Sequence, residues 1–286
     1  MAPWEQLRGL IRARGRRSAR EVRVERLPGF LSRQLEENRV VDIYLPLDYD
    51  QTGSLEYRVV YANDGQDMQA VDLRGTLRLL QAANRMEPAV VVAVHATDRL
   101  QDYGTAGVLN AQGLGGRAER YGRFLLEELM PAIAARYRVR RSGGLNAIMG
   151  WSLGGLAAFD LAWRHPEEFG TVGVFSGSFW WRNDDRTVVA RQASRIMHRR
   201  VRETVGRPAL RMWFETGLQD EAADRDGDGV IDAVQDTEEL IEELERKGYR
   251  RGRDMVHLTV QGGHDLPTWK RLLPEWLTWV LPSTST

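Results

Sequence analysis

The chain has 286 residues, which is enough for one large domain with a sizeable core. Its 40 basic and 40 acidic side chains give a formal net charge of zero, so no overall field indicates a nucleic acid or a membrane surface as a partner. The absence of cysteine excludes disulfides and thiol chemistry, and no apolar run of about 18 residues predicts a membrane span.

The first 20 residues are rich in arginine and lack the apolar stretch of a secretory signal. They predict a basic N-terminal arm over residues 1–20. Because neither a signal nor a membrane span is visible, we expect a cytoplasmic protein.

Residues 21–286 alternate short apolar runs with amphipathic segments and predict a single α/β domain. Strands are predicted at 21–25, 40–45, 57–61, 89–94, 144–149, 171–175, 210–214 and 255–260. Helices are predicted at 71–83, 117–137, 153–164, 184–204, 237–247 and 266–280. Such alternation is typical of a mostly parallel sheet covered by helices on both faces, which binds ligands beyond the carboxyl ends of its strands. The arginines between 191 and 202 recur at helical spacing and predict a solvated helix face.

Residues 150–155 read GWSLGG and match G-x-S-x-G, the nucleophile elbow. A strand-like run precedes them and a helix-like run follows, which is the strand–turn–helix context that the motif requires. The sharp turn needs small residues around the serine, and three glycines supply them. The pattern therefore predicts Ser152 as a catalytic nucleophile, with the backbone N–H of Leu153 beside the developing oxyanion. The alternative is a structural Gly-Ser turn.

A serine nucleophile needs a base, and His264 is placed to act as one. It lies in a loop that leaves the late strand-like run at 255–260 and precedes the last predicted helix.

The acid that would orient this imidazole is predicted to be Asp220, a few residues beyond the strand-like run at 210–214. Glu221 and Asp265 remain alternatives. The order Ser152, Asp220, His264 is that of the α/β-hydrolases.

Several separate segments, in matching order, resemble a known family. They are VDIYLP at 41–46, YANDGQ at 61–66, the segment at 115–131, the elbow at 150–155, SGSFWW at 176–181 and GGHD at 262–265. On these segments residues 20–282 resemble the putative esterase family of α/β-hydrolases, which includes enterochelin, feruloyl and acetyl-xylan esterases, esterase D and the mycolyltransferases. The resemblance implies an α/β-hydrolase fold and serine esterase activity.

The same resemblance implies further site residues. In such enzymes the loop after an Asp-Gly pair supplies a second oxyanion N–H, and the matching residue is Gln66, which would act together with Leu153. Each donor of such a pair stabilises the transition state by about 3–4 kcal/mol.

A substrate pocket is also expected. Its predicted residues are Trp151, Trp180, Trp181 and Arg99. One or more of the tryptophans could instead pack in the core, and Arg99 could meet a substrate anion or form a structural ion pair.

Residues 224–232 read DRDGDGVID and fit the first nine positions of a calcium-binding loop, D-x-D-x-D-G-x-x-D. The expected ligands are four carboxylates and one main-chain carbonyl, from Asp224, Asp226, Asp228, Asp232 and Val230. Position 12 is Gln235 and not the usual glutamate, which weakens the site. Hard oxygen donors favour calcium, so the sequence predicts a structural Ca²⁺ ion that stabilises the loop bearing the acid, and no cofactor for catalysis. A solvated acidic loop is the alternative.

These patterns together predict a serine esterase that hydrolyses a carboxylic ester through an acyl-enzyme intermediate. The alternatives are an acyltransferase that uses the same triad and a non-catalytic, calcium-stabilised binding module. A small-molecule ester is the expected partner, with no nucleic acid and no membrane, and the oligomeric state is left open.

Overall fold

The computed structural model describes residues 21–49, 53–141 and 144–283, and the predicted basic arm at 1–20 lies outside the described residues. Eight strands in the described part form one sheet: β1 (Arg23–Ser32), β2 (Glu37–Leu45), β3 (Arg58–Ala62), β4 (Ala89–Val94), β5 (Asn146–Trp151), β6 (Phe169–Phe175), β7 (Arg211–Gln219) and β8 (Met255–Gly263). Their order across the sheet is β1-β2-β4-β3-β5-β6-β7-β8. β2 runs antiparallel to both of its neighbours, and the other pairings are parallel.

The first strand is longer than predicted. Alternation of polar and apolar residues predicted a strand at 21–25. β1 instead continues past Pro28 and Gly29 to Ser32, with a register shift between Leu27 and Phe30. An edge strand tolerates proline at such a bulge, since one side of its backbone needs no ladder partner.

The helices of the described part lie between these strands and after the last one. They are α1 (Leu73–Ala82), α2 (Arg99–Asp102), α3 (Ala118–Arg123), α4 (Met130–Arg136), α5 (Leu153–Arg164), α6 (Val188–Ala193), α7 (Ile196–Glu203), α8 (Asp232–Arg246) and α9 (Leu266–Val280). A π-helical segment, Phe124–Leu129, joins α3 to α4, so the predicted helix at 117–137 contains one wider turn. The predicted helix at 184–204 is two short helices, and the one predicted from 237 begins at Asp232.

The arginine-rich segment around α7 differs from the prediction of a solvated helix face. Arg195 is buried and its guanidinium lies 2.5 Å from the carboxylate of Asp236. Arg200 pairs with the buried carboxylate of Asp160. The predicted solvated face is therefore wrong at Arg195 and Arg200, because buried acids on other elements neutralise these cations, whereas Arg191 and Arg202 are exposed.

Apolar side chains pack on both faces of the sheet, as alternation along a strand requires. In β4, Val90 and Val92 join the cluster that contains Leu156 of α5, whereas Val91 joins the cluster that contains Trp276 of α9. All six residues of β4 are buried, as expected for an interior strand of a sheet that is covered on both faces. No helix in the described residues is both long and apolar enough to span a bilayer.

The parallel strands bring the predicted site residues to one edge of the sheet. Ser152 follows β5, Asp220 follows β7, and His264 follows β8, while Gln66 lies just beyond β3. All four positions are at carboxyl ends, where open α/β sheets bind their ligands.

Candidate active site

Ser152 occupies the junction of β5 and α5 in a strained conformation, with φ 56° and ψ −127°. Residues other than glycine rarely adopt positive φ, and such strain persists only where the surroundings hold it. The backbone N–H of Ser152 donates to the carbonyl of Phe175 at 2.9 Å. Its hydroxyl oxygen lies 3.5 Å from that of Ser178. The structure therefore has a sharp strand-to-helix turn at Ser152, as the G-x-S-x-G pattern predicted.

The glycines of the elbow are required by close backbone approach. A Cβ on Gly150 would lie 2.3 Å from the carbonyl oxygen of Gly154. A Cβ on Gly154 would lie 2.5 Å from a carboxylate oxygen of Asp64. Neither neighbour is the free end of a flexible chain, so both positions exclude a side chain.

His264 and Asp220 face each other across the ends of β7 and β8. The Nδ1 atom of His264 lies 3.7 Å from Oδ2 of Asp220. This separation exceeds a hydrogen bond, but such contacts are often long in a site without substrate. The Asp220 side chain is 1% exposed, and that of His264 is 38% exposed, so a buried carboxylate lies behind an accessible imidazole.

The carboxylate of Asp220 has no hydrogen-bond donor among the described residues. A buried carboxylate without donors is costly unless a cation pairs with it. The side chain that faces this carboxylate is the imidazole of His264.

Glu215, on β7, lies beneath this pair and is 1% exposed. Burial, and then the charge of Asp220, raises the pKa of Glu215 to about 8. Glu215 is therefore neutral at pH 7 and does not add a second buried negative charge beside Asp220.

The predicted oxyanion loop follows β3 as a tight helical turn, Gly65–Asp67. The side chain of Gln66 makes two hydrogen bonds: Nε2 donates to Asp64 at 2.9 Å, and Oε1 accepts from the N–H of Ala96 at 3.0 Å. Both bonds tie the side chain to the loops that follow β3 and β4. The main chain of Gln66 is then the part left to serve a ligand.

Two clefts open beside the serine, and both are lined by Ser152 and His264. The larger has a volume of about 620 Å³ and also includes Gln66 and Arg99. The smaller has a volume of about 360 Å³ and also includes Leu153. The same serine and histidine are therefore accessible from two sides.

A family model, Esterase, described as putative esterase, matches residues 32–280. The chain belongs to the putative esterase family. The family predicted from the sequence is confirmed.

Two curated proteins are similar to this esterase family member in sequence. The uncharacterized protein YbbA of Bacillus subtilis (strain 168) is 28% identical over 169 residues, which cover 57% of this chain and 66% of that protein. The endo-1,4-beta-xylanase/feruloyl esterase of Xylanibacter ruminicola is 26% identical over 157 residues, which cover 52% of this chain and 21% of that protein.

Solved structures resemble the family member over nearly its whole length. The enterochelin esterase from Shigella flexneri has a TM-score of 0.72 and 21% identity, covering 91% of this chain and 59% of that chain. A ferulic acid esterase has a TM-score of 0.68 and 19% identity, covering 93% of this chain and 98% of that chain. The chain thus spans 66%, 21% and 59% of YbbA, the xylanase/feruloyl esterase and the enterochelin esterase, respectively. The predicted α/β-hydrolase fold is confirmed.

The predicted pocket residues of this esterase family member differ in exposure. Trp180 lines the smaller cleft and is 39% exposed. Trp151 and Trp181 also lie at the cleft walls, but each is only 1% exposed, so most of each ring packs in the protein. Arg99 lines the larger cleft and is bound to Asp64 through two hydrogen bonds of 2.7 and 3.1 Å.

Trp269 was not predicted from the sequence, although it touches the base. Its ring meets that of His264 edge-on at 5.2 Å and stacks on Trp151 at 5.4 Å. Its indole N–H donates to the hydroxyl of Ser176 at 3.0 Å. Because Trp269 lies five residues beyond His264 on α9, only its place in the first turns of the following helix hinted at this contact.

The alternative acids have other environments. The carboxylate of Asp265 caps α9 by accepting from the N–H of Thr268 at 2.9 Å, and this bonding lowers its pKa. Glu221 is exposed. Asp220 is the acid that pairs with His264 in the described part of the chain.

The acidic loop brings three of its predicted ligands together. Asp224, Asp226 and Asp228 each place a carboxylate oxygen within 4.8 Å of the others. Asp232 stands apart from them, because its carboxylate accepts from the N–H of Arg225 at 2.9 Å. At position 12, Gln235 donates to Asp226 at 2.8 Å while its amide oxygen has no donor among the described residues. These hard oxygens fit a divalent cation such as Ca²⁺.

Proposed function

We propose that the chain is a serine esterase that hydrolyses a small carboxylic ester through Ser152, His264 and Asp220. The observation that carries the proposal is the strained serine at an elbow, which lines the same clefts as a half-exposed histidine backed by a buried acid. Membership of the putative esterase family supports it, as do the names of two relatives, an enterochelin esterase and a ferulic acid esterase.

The proposed reaction has two halves. The hydroxyl oxygen of Ser152 attacks the ester carbonyl while His264 accepts the serine proton. His264 then gives that proton to the alcohol oxygen as the carbon–oxygen bond breaks, which leaves an acyl group on Ser152. Water repeats the sequence with His264 as base, and a carboxylic acid leaves.

The negative charge on the former carbonyl oxygen needs fixed donors. We assign these to the backbone N–H groups of Gln66, which lines the larger cleft, and Leu153, which lines the smaller one. The end of β3 and the start of α5 carry them, so neither donor depends on a long side chain.

Hydrolysis is favoured over transfer to another alcohol because the base is accessible. The His264 side chain is 38% exposed, and both clefts reach it. Water can therefore approach the acyl-enzyme, whereas transferases gain from a site that excludes water. A non-catalytic binding module would not need the strained backbone at Ser152, which costs on the order of 1–3 kcal/mol.

The decisive experiment measures hydrolysis of p-nitrophenyl acetate and butyrate together with labelling by a fluorophosphonate. We expect Ser152→Ala to lose both label and turnover, by at least about 10³-fold, because no other hydroxyl occupies the elbow. Ser54→Ala, at an exposed serine outside the clefts, should retain both. An unlabelled but folded wild-type protein that turns over neither ester would contradict the proposal and favour a binding module.

We further propose that the acidic loop holds a structural Ca²⁺ ion with no part in the chemistry. Two observations support this assignment: the three carboxylates lie close together, and the amide oxygen of Gln235 accepts no hydrogen bond among the described residues. The loop follows Asp220 closely in the chain, so a bound cation would restrain the segment that carries the acid.

A further inference from the structure

Asp64 lies between the two segments that carry the proposed oxyanion donors. It precedes the turn that contains Gln66 and adopts a left-handed conformation, with φ 57° and ψ 48°. One of its carboxylate oxygens lies so close to Gly154 that a Cβ there would come within 2.5 Å. Gly154 is the residue after Leu153 in α5. A shift of this carboxylate would therefore change the distance between the N–H groups of Gln66 and Leu153.

Arg99 is the cation that holds this carboxylate. Its guanidinium donates to both oxygens of Asp64, at 2.7 and 3.1 Å, and Gln66 adds a third bond at 2.9 Å. The Asp64 side chain is fully buried, and burial raises its pKa while the charge of Arg99 opposes that shift. A bidentate pair of this kind fixes direction as well as distance.

The short helix that carries Arg99 is anchored by ion pairs at its other end. It begins α2, and Asp102 at the end of the same short helix is fully buried beside the guanidinium of Arg39 at 2.5 Å. Arg117 approaches the other carboxylate oxygen of Asp102 at 3.0 Å. These contacts make α2 a fixed support from which Arg99 reaches the oxyanion loop.

We propose that Arg99 is a positioning residue, which holds the turn at Gln66 in register with the elbow through Asp64, and that it does not bind an anionic group of the substrate. The inference rests on the proposed function, in which Gln66 supplies an oxyanion donor. The Nε and Nη2 donors of its guanidinium are committed to Asp64, so the loop at Gln66 depends on Arg99 whichever ester occupies the cleft. Loss of Arg99 should therefore affect the transition state of every ester, including uncharged ones.

The test compares Arg99→Gln with wild type on neutral p-nitrophenyl acetate and on anionic p-nitrophenyl hemisuccinate, well below the unfolding temperature. We expect kcat to fall about 10–100-fold on both esters with KM within about twofold, because displacing one donor weakens binding of the transition state alone. Affinity for butylboronic acid, which forms a tetrahedral adduct on the serine, should fall by a similar factor. Arg99→Lys should recover part of the loss.

The matched control is Arg202→Gln, which removes another arginine from a buried carboxylate, that of Glu243, between α7 and α8. It should leave kcat unchanged. If Arg99→Gln alone fails to fold because Asp64 is left unpaired, the double variant Asp64→Asn/Arg99→Gln removes both charges and carries the same expected loss.

Three results would overturn the inference. The first is a kcat on the acetate within threefold of wild type, and the second is a rise of KM confined to the hemisuccinate, which would make Arg99 an anion ligand. The third is an equal loss in Arg202→Gln. A wild-type protein that hydrolyses no ester and takes no fluorophosphonate would instead overturn the proposed function.

Discussion

The two halves of the site differ in how tightly the protein holds them. On the nucleophile side, Asn63 donates to the carbonyl of Gly154 at 2.7 Å and accepts from the hydroxyl of Tyr121 at 2.6 Å. With the Arg99–Asp64 pair, these bonds join the loop after β3 to the elbow. On the base side, His264 and Asp220 are 3.7 Å apart, and the carboxylate of Asp220 has no donor among the described residues.

This difference matches the demands of the proposed chemistry. The oxyanion donors must be in place before charge develops, because reorganising them during the reaction would add to the barrier. The acid and base are needed most when the imidazole carries a proton, and the attraction between opposite charges then draws them together. One half is therefore rigid in advance, while the other can tighten as the reaction proceeds.

The largest expected effect comes from replacing Asp220, the proposed partner of His264. Asp220→Asn should lower kcat by about 10³–10⁴-fold on p-nitrophenyl acetate, because an amide cannot stabilise the imidazolium and can favour the wrong imidazole tautomer. The matched variants Asp265→Asn and Glu221→Gln remove the alternative acids and should stay within about threefold of wild type. A large loss in either of these, with Asp220→Asn active, would reassign the acid.

A smaller effect is expected at Glu215, where a substitution should change the free energy of unfolding and, unlike one at Asp220, leave kcat nearly unchanged. The pKa of Glu215 is about 8 in the folded protein, against a model-compound value of 4.5, so the folded state holds a proton that the unfolded state has released between these pH values. The free energy of unfolding should therefore fall as pH rises from about 4.5 to 8, by on the order of a few kcal/mol.

Urea unfolding of wild type and Glu215→Gln at pH 5, 7 and 9 measures this contribution. The glutamine variant cannot ionise, so its stability should decline less between pH 5 and pH 9, while its activity at pH 7 stays close to that of wild type. Parallel pH profiles for the two proteins would show that Glu215 does not carry the effect. Glu275→Gln, an exposed carboxyl on α9, is the control.

The smallest expected effect comes from Ca²⁺ binding to the acidic loop, which would restrain the segment that carries Asp220. Millimolar CaCl₂ should raise the unfolding temperature by about 3 °C relative to EDTA, as expected for a site loaded to about ten times its dissociation constant. Asp226→Asn/Asp228→Asn should abolish the rise, and MgCl₂ should give less of it, because the loop's flexible oxygens suit the larger ion. Equal unfolding temperatures in calcium and EDTA would leave a solvated acidic loop.

Local patterns predicted the strand, turn and helix around Ser152. The elbow at Ser152 needs only a strand, a glycine-rich turn and a helix, all within adjacent residues of the chain. The parallel order of the strands follows from their alternation with helices, and it places the carboxyl ends at one edge. The strand beyond Pro28 was missed because the bulge that accommodates proline depends on the partner strand, β2.

Contacts between distant segments were harder to predict. The sequence left open whether Arg99 meets a substrate or an acid, because its partner Asp64 is 35 positions away and no local pattern couples them. The burial of Arg195 was missed for the same reason, since its acid lies on α8. Trp151 and Trp181 have the same apolar surface whether they line a pocket or fill a core, and only packing decides how much of each ring stays exposed.

Because two clefts share Ser152 and His264, the two products of the proposed reaction could leave by different openings. In the proposed reaction, the alcohol would leave through one opening while the acyl group stays in the other, and the next nucleophile would enter by the vacated opening. An alcohol that fits this opening then competes with water for the same acyl-enzyme. The ratio of ester exchange to hydrolysis would therefore depend on which alcohols are present, with no change in the acyl group or in the protein.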